Sequence, residues 1–225
     1  MTRIPVIKTL AIAALSLAGS TAALAQSAGT WMVKVGANQI SPQVKSDDLS
    51  APSLPNSQVD VKSDTQPIVT LAYMLTDHVS LEFFGGLAYK HEVVGDGALS
   101  GVGKLGTIKQ VSPTLFAQYR FLEASSALRP YVGAGLTYAH FFGEEGSGSL
   151  TALTNPGGRP TQLSVDSAFG ASFQLGLSYQ FNERWFVDGS VVKTYLKTTT
   201  TLSTGQSIDT KLDPISTNLS IGYRF

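Results

Sequence analysis

The chain ends LSIGYRF, residues 219–225, and the reading of this stretch decides the fold. Counting back from the end, Phe225, Tyr223, Ile221, Leu219, Thr217 and Ile215 fall on one side, while Arg224, Gly222, Ser220, Asn218 and Ser216 fall on the other. Alternation with period two is a strand, because successive side chains of a strand point to opposite faces. In water, an aromatic strand at a free edge would template association with other chains. The pattern makes sense for a strand whose apolar face meets lipid. Its edge is closed by pairing with the first strand of a barrel, so that every backbone group is satisfied.

The same period recurs along the chain. TWMVKVGAN sets Trp31, Val33, Val35 and Ala37 against Met32, Lys34, Gly36 and Asn38. VSLEFFGGLAYK sets Val79, Leu81, Phe83, Leu87 and Tyr89 against Ser80, Glu82, Phe84, Gly86, Ala88 and Lys90. IVTLAYML, QVSPTLFAQYRF, YVGAGLTYAH, AFGASFQLGLSYQF, WFVDGSVVKTYL and the terminal strand complete a series of about eight. An even number is what a bacterial outer-membrane barrel requires. The expected fold class is therefore an all-β, eight-stranded antiparallel transmembrane β-barrel.

The connections carry a second signal. Thr76-Asp77-His78, Leu122 to Leu128 and Asn182-Glu183-Arg184 are short. Long polar stretches rich in Gly, Pro and Ser lie near 41–67, 91–106, 142–165 and 197–212. Short and long connections alternate, as periplasmic turns and extracellular loops do. Trp31, Tyr119, Phe121, Tyr179, Phe181, Trp185, Tyr223 and Phe225 gather at the short-turn end as an aromatic girdle.

Residues 1–25 read as a secretory signal peptide: Arg3 and Lys8, a short apolar run, and Ala23-Leu24-Ala25 before Gln26. The barrel is expected over 26–225. Net charge is zero and charged residues are 14%, below the usual ~25%, so no basic field points to nucleic acid. Cysteine is absent, which excludes disulfides and thiolate chemistry.

YMLTDHVSLEFFGG, LGTIKQVSPTLFAQYRF, RPYVGAGLTYAHFF, NERWFVDGSV and LSIGYRF together resemble the OmpW family of small outer-membrane barrels, over nearly the whole mature chain. The resemblance implies an eight-stranded barrel that admits small hydrophobic molecules; relatives that feed alkanes or aromatic hydrocarbons to degradative bacteria belong to the family. Where the family often shows two prolines, this chain has Ser112-Pro113. A final phenylalanine, with Tyr223, resembles the signal read by the barrel-insertion machinery.

Candidate chemistry is sparse. GVGKLG at 101–106 matches G-x-G-x-x-G but lacks the strand and helix that dinucleotide binding needs. His78, His91 and His140 show no metal-ligand spacing, and no serine, histidine and carboxylate set emerges. No enzyme activity, cofactor or metal is expected. By alternation Lys34, Glu82, Arg120, Asp188 and Arg224 face the lumen near its periplasmic end, where they are expected to pair as a floor, Arg120 and Arg224 neutralising Glu82 and Asp188. Above them Phe84, Gly86, Ala88, Phe116, Gly133, Gly135 and Val192 suggest an apolar upper lumen. Pro113, which cannot donate to a ladder, marks a candidate lateral opening in the outer half of the wall. The expected partners are outer-membrane lipid and lipopolysaccharide, the insertion machinery and a small hydrophobic solute. The function expected is passive uptake of that solute; the alternative is a structural or adhesive barrel acting as a receptor through its loops.

Overall fold

The computed structural model describes residues 26–225; the expected signal peptide lies outside the described residues. In chain order the strands are β1 (Trp31–Ser41), β2 (Lys45–Ser46), β3 (Ser57–Val61), β4 (Asp64–Met74), β5 (Val79–Gly86), β6 (Tyr89–Gly97), β7 (Lys104–Val111), β8 (Thr114–Arg120) and β9 (Leu128–Gly146). A helix, α1 (Gly148–Thr154), separates these from β10 (Leu163–Val165), β11 (Ala168–Gln180), β12 (Trp185–Tyr195), β13 (Lys197–Leu202), β14 (Ser207–Lys211) and β15 (Ile215–Arg224).

Eight of these strands form the barrel, in the order β1-β4-β5-β8-β9-β11-β12-β15, every neighbour antiparallel. β15 returns to β1 in continuous register from Met32↔Arg224 to Ser41↔Ile215 and closes the wall. The last residue joins the closure: Phe225 N–H donates to the Trp31 carbonyl at 3.0 Å and Trp31 N–H to the Phe225 carbonyl at 3.1 Å. The terminal stretch alternates as its sequence requires, with Leu219, Ile221 and Phe225 exposed and Asn218, Ser220 and Arg224 buried. Residues on the outward face of the wall include Val35, Leu71, Phe83, Leu115, Leu136, Phe173 and Leu175, all exposed to where lipid would lie. At the short-turn end Trp31 packs on Tyr73, Trp185 on Tyr223 and Tyr223 on Phe225, forming the girdle.

Replacing Phe225 with aspartate is expected to lower outer-membrane yield several-fold. The substitution removes the aromatic anchor from the closing strand and sets a charge at the interface. Heat-modifiable mobility and yield of the variant check this; wild-type values for both would show that closure does not need the ring.

The long connections differ from the expectation of polar loops. β9 runs 19 residues, far beyond the 9–11 that cross a bilayer. Its outer part pairs with β7, which pairs with β6 and then β3. A second sheet, β10-β13-β14-β2, faces this one. Between them lies an apolar core that includes Val93, Ile108, Phe141, Leu163, Val165, Leu202 and Leu212. α1, capped by Ser147 Oγ accepting from Leu150 N–H, adds Leu150 to it. The wall thus continues outward as a structured extracellular extension. GVGKLG belongs to its β6–β7 turn and the start of β7, with Gly101 and Gly103 at positive φ of 86° and 83°, as a tight turn demands.

Candidate functional site: lumen, wall break and outer vestibule

The periplasmic half of the lumen is crossed by side chains from opposite sides of the wall. Lys34 stands on β1, with β5 two strands away in one direction and β12 two strands away in the other. Its ammonium reaches both: 2.7 Å to Glu82 Oε2 and 3.0 Å to Asp188 Oδ1. The contact with Asp188 is a directed hydrogen bond, whereas that with Glu82 is an ion pair without hydrogen-bond alignment, so the Glu82 oxygens have no hydrogen-bond partner among the described residues. From β9, on the far side of the barrel, Tyr131 donates its hydroxyl to Asp188 Oδ1 at 2.9 Å. Ser178 donates to Asp188 Oδ2 at 2.7 Å. All three charged side chains are buried. Tyr131 fits because residue 176 is glycine; a Cβ there would run into its ring.

The expected pairing of the arginines is corrected. Neither Arg120 nor Arg224 forms an ion pair with Glu82 or Asp188. Arg120 donates to neutral acceptors, Gln118 Oε1 at 2.9 Å, Ser80 Oγ and Gln26 Oε1 at 3.2 Å and Ser178 Oγ at 3.3 Å, and its guanidinium lies 4.7 Å from the centre of the Tyr131 ring. Arg224 donates to the Glu183 carbonyl and to Gln180 Oε1, at the turn below. The reason is geometric. Lysine on β1 reaches both carboxylates, while the arginines sit one layer nearer the turns and bind backbone and amide oxygens there.

Sequence reasoning missed several members of this layer. Arg129 is fully buried and donates to the backbone carbonyls of Gln26 and Asp77 at 2.8 and 2.7 Å. Gln26 is buried against both arginines. Met32, Ala72, Met74 and Phe186 add an apolar cluster, the Phe186 ring occupying the space that Gly222 leaves. Met32, Arg129 and Phe186 alternate inward in the sequence, which was a usable signal; Gln26 precedes any strand and gave none.

Above this layer lies a cavity of about 40 Å³. Phe84, Gly86, Phe116 and Val192 line it, as expected, but so do Asn38, Gln110, Ser112, Thr114, Thr137 and Thr194. The lining is mainly apolar, with these polar side chains interspersed. Gly133 lies lower, against Gln118 and Gln174, and Gly135 makes room for the Phe116 ring.

The wall beside this cavity is interrupted. β5 ends at Gly86 and resumes as β6 at Tyr89; β7 ends at Val111 and resumes as β8 at Thr114. The β5–β8 ladder stops at Phe84↔Thr114, and the β6–β7 ladder starts at Tyr89↔Gln110, leaving residues 85–88 facing 111–113 without register. Pro113 stands in that interruption. Its carbonyl accepts from Tyr138 N–H on β9 at 3.0 Å, and the reciprocal bond, which a proline cannot donate, is missing. Leu87, in the interruption, lines the cavity and is 61% exposed.

The most apolar space lies higher, inside the extension. A cavity of about 180 Å³ is lined by Leu54, Val93, Leu99, Leu105, Ile108, Leu163 and neighbouring residues. A cavity of about 50 Å³ beneath it shares Val59, Val93, Ile108 and Thr200 with it, and shares Gln110 with the lumen cavity below. The three form a descending series from the outside to the wall break. The histidines are separate, as their spacing implied: His78 at a periplasmic turn against the Arg120 carbonyl, His140 against Ser167 Oγ, and His91 inside the extension.

Comparison with known proteins agrees with this architecture. Residues 27–225 match the model of the OmpW family. Outer membrane protein W of Vibrio cholerae serotype O1 is 34% identical over 220 residues, covering 95% of this chain and 97% of that one. The dibenzothiophene metabolism operon protein PahQ of Pseudomonas aeruginosa is 25% identical, covering 87% of this chain and 88% of its own. The crystal structure of the outer membrane protein OprG from Pseudomonas aeruginosa superposes with a TM-score of 0.80 at 27% identity, covering 89% of this chain and 99% of that one. A closed eight-stranded barrel, an apolar outer face with an aromatic girdle, and a family match across the described chain lead to one conclusion: this is an outer-membrane β-barrel of a Gram-negative bacterium, and the chain belongs to the OmpW family.

Proposed function

We propose that the protein is a passive conduit for small hydrophobic molecules. They enter the apolar vestibule from outside, descend to the upper lumen, meet a closed floor and leave sideways into the bilayer at the wall break around Pro113. The observation that carries this reading is the descending series of cavities that ends at Leu87 and the interrupted ladder, above a lumen filled by Lys34, Glu82, Asp188, Tyr131 and Arg120. The vestibule volume is of the order of an apolar cavity of ~150 Å³ that takes up benzene. The transfer as a whole, from water outside to the bilayer, is downhill, since each methylene removed from water gains roughly 0.8 kcal/mol. A relative named for a dibenzothiophene metabolism operon supports an aromatic hydrophobic cargo. An adhesive barrel acting through its loops would have no use for an apolar interior leading down to lipid.

The test is uptake of a labelled hydrophobic solute by cells with and without the protein, beside a Pro113→Val variant. Valine supplies the donor missing on the β9 side, opposite Tyr138, and should stiffen the β7–β8 edge that borders the interruption facing residues 85–88. Uptake is expected to fall about threefold or more while the variant keeps heat-modifiable mobility. Unchanged uptake in a folded Pro113→Val barrel would place the exit elsewhere; no difference between cells with and without the protein would remove the conduit reading.

A further inference from the structure

Between the vestibule and the lumen, His91 in the cavity of about 50 Å³ and Asn38 in the lumen cavity form a collar with an uneven hydrogen-bond balance. His91, on β6 in the extension, is buried; its Nδ1 lies 2.8 Å from the Lys62 carbonyl oxygen. A carbonyl can only accept, so Nδ1 carries the proton and Nε2 presents a lone pair. Burial lowers the basicity of this imidazole below the ordinary histidine value, opposed by the Lys62 carbonyl and Asp64, which keeps the ring neutral. Nε2 is buried and finds no hydrogen-bond partner among the described residues. His91 lines the cavity beneath the vestibule.

A second acceptor stands just below. Asn38 donates through Nδ2 to the Tyr89 hydroxyl at 2.8 Å, which leaves its Oδ1 buried and without a partner. Asn38 and Tyr89 line the lumen cavity, and Tyr89 stacks on His91 with ring centres 6.2 Å apart, so the two acceptors follow one another along the passage. Buried polar atoms without partners are few in folded proteins, because each one left dry costs about 1–3 kcal/mol. Two buried acceptors in succession, on a route whose lining is mainly apolar with threonine, serine and glutamine side chains among it, would be satisfied by a group that donates.

We propose that the collar formed by His91 and Asn38 binds hydrophobic solutes through a hydroxyl donor, and so favours phenols and long-chain alcohols over hydrocarbons and ethers of the same size. The proposal rests on the conduit reading for its biological sense, but the binding it describes does not depend on transport. A solute slides its apolar body through the vestibule, and its O–H donates first to His91 Nε2 and then to Asn38 Oδ1. An ether oxygen has no proton to give, so it can pair with neither acceptor and adds a third.

The experiment compares two constitutional isomers, 4-ethylphenol and 4-methylanisole, which differ in carrying or lacking the hydroxyl. Both are titrated against the detergent-purified, folded full-length barrel. Binding is followed on the imidazole nitrogens by 15N NMR. The phenol is expected to bind about tenfold more tightly, the ratio that one satisfied buried hydrogen bond supplies. It should move the His91 Nε2 resonance, and the anisole should leave that resonance in place. In His91→Leu the phenol is expected to lose its advantage while anisole binding stays within about twofold. Equal affinities in the wild-type barrel, or an Nε2 resonance indifferent to the phenol, would overturn the proposal. Equal weakening of both isomers by His91→Leu would overturn it as well, since that is the mark of a structural histidine. Cellular uptake of 4-methylanisole, measured in parallel, separates the two readings: selective binding with no uptake would sustain the collar and refute the conduit.

Discussion

Replacing Lys34 with methionine is expected to destabilise the barrel by about 3–5 kcal/mol, the cost of leaving buried carboxylates without their cation. The methionine chain follows the lysine stem, so little packing is lost and the electrostatic effect dominates. Glu82 and Asp188 are both fully buried and both lie within 3.0 Å of the same ammonium. Ser178 and Tyr131 still donate to Asp188, but nothing else donates to Glu82, whose oxygens already lack a directed hydrogen bond. Equilibrium unfolding from lipid vesicles, followed through Trp31 and Trp185, measures the loss. A chain that also carries Glu82→Gln and Asp188→Asn has no stranded charge, and its stability is expected to return most of the way to wild type. An unchanged midpoint in the single variant would mean that water screens the cluster, and the lumen would then be open at this level. Arg120→Ala is expected to have a smaller effect, because its acceptors are hydroxyl and amide oxygens.

How far the sequence could carry this reading follows from what alternation encodes. Period two states which face a residue takes, so Lys34, Glu82, Phe116, Asp188 and Arg224 could all be placed inside from the sequence alone. It does not state which strands face one another across the lumen. That depends on the pairing order and on the stagger of each strand, and so the partners of the carboxylates could not be read: Lys34 bridges them because β5 and β12 flank β1 at equal remove. Pro113 could be singled out because a missing N–H is a property of one residue, but that N–H would face Tyr138 on β9, so the gap on its other side could not be read from it. The opposite half of the break, residues 85–88, carried only a Gly-Gly pair as its sign. The extension was hidden for another reason. Val59, Val93, Leu105, Leu163 and Leu202 come from the four long connections, each mostly polar, and Ile108 from just beyond one of them; their apolar character emerges only when β3, β6, β7, β10 and β13 bring them together. A core assembled from scattered single residues leaves no period in any one segment. His91 was seen in the sequence as an isolated histidine, and its single free nitrogen is a fact of packing alone.

Introducing aspartate at Ile108 is expected to reduce hydrophobic uptake by about tenfold or more, to near the level of cells lacking the protein. Ile108 is buried and lines both the vestibule and the cavity beneath it, so every solute that follows the series must pass it. Aspartate is too short to carry its charge out to water, and a carboxylate in an apolar passage brings hydration with it. The solute would then have to displace bound water and gain nothing in return. The barrel proper should still assemble, because its eight strands pair with one another below this level, and Ile108 lies on β7, which meets only the outer part of β9. Heat-modifiable mobility and unfolding from vesicles verify that. Ile108→Ala serves as the counterpart: it widens the same point without charge, and uptake is expected to be retained or raised. The two substitutions at one position separate a passage from a surface. A barrel that acts only by presenting loops to a partner would respond to both according to how far they disturb the extension. A conduit responds in opposite directions, and equal uptake in the two variants would argue that the vestibule is a packing defect rather than a route.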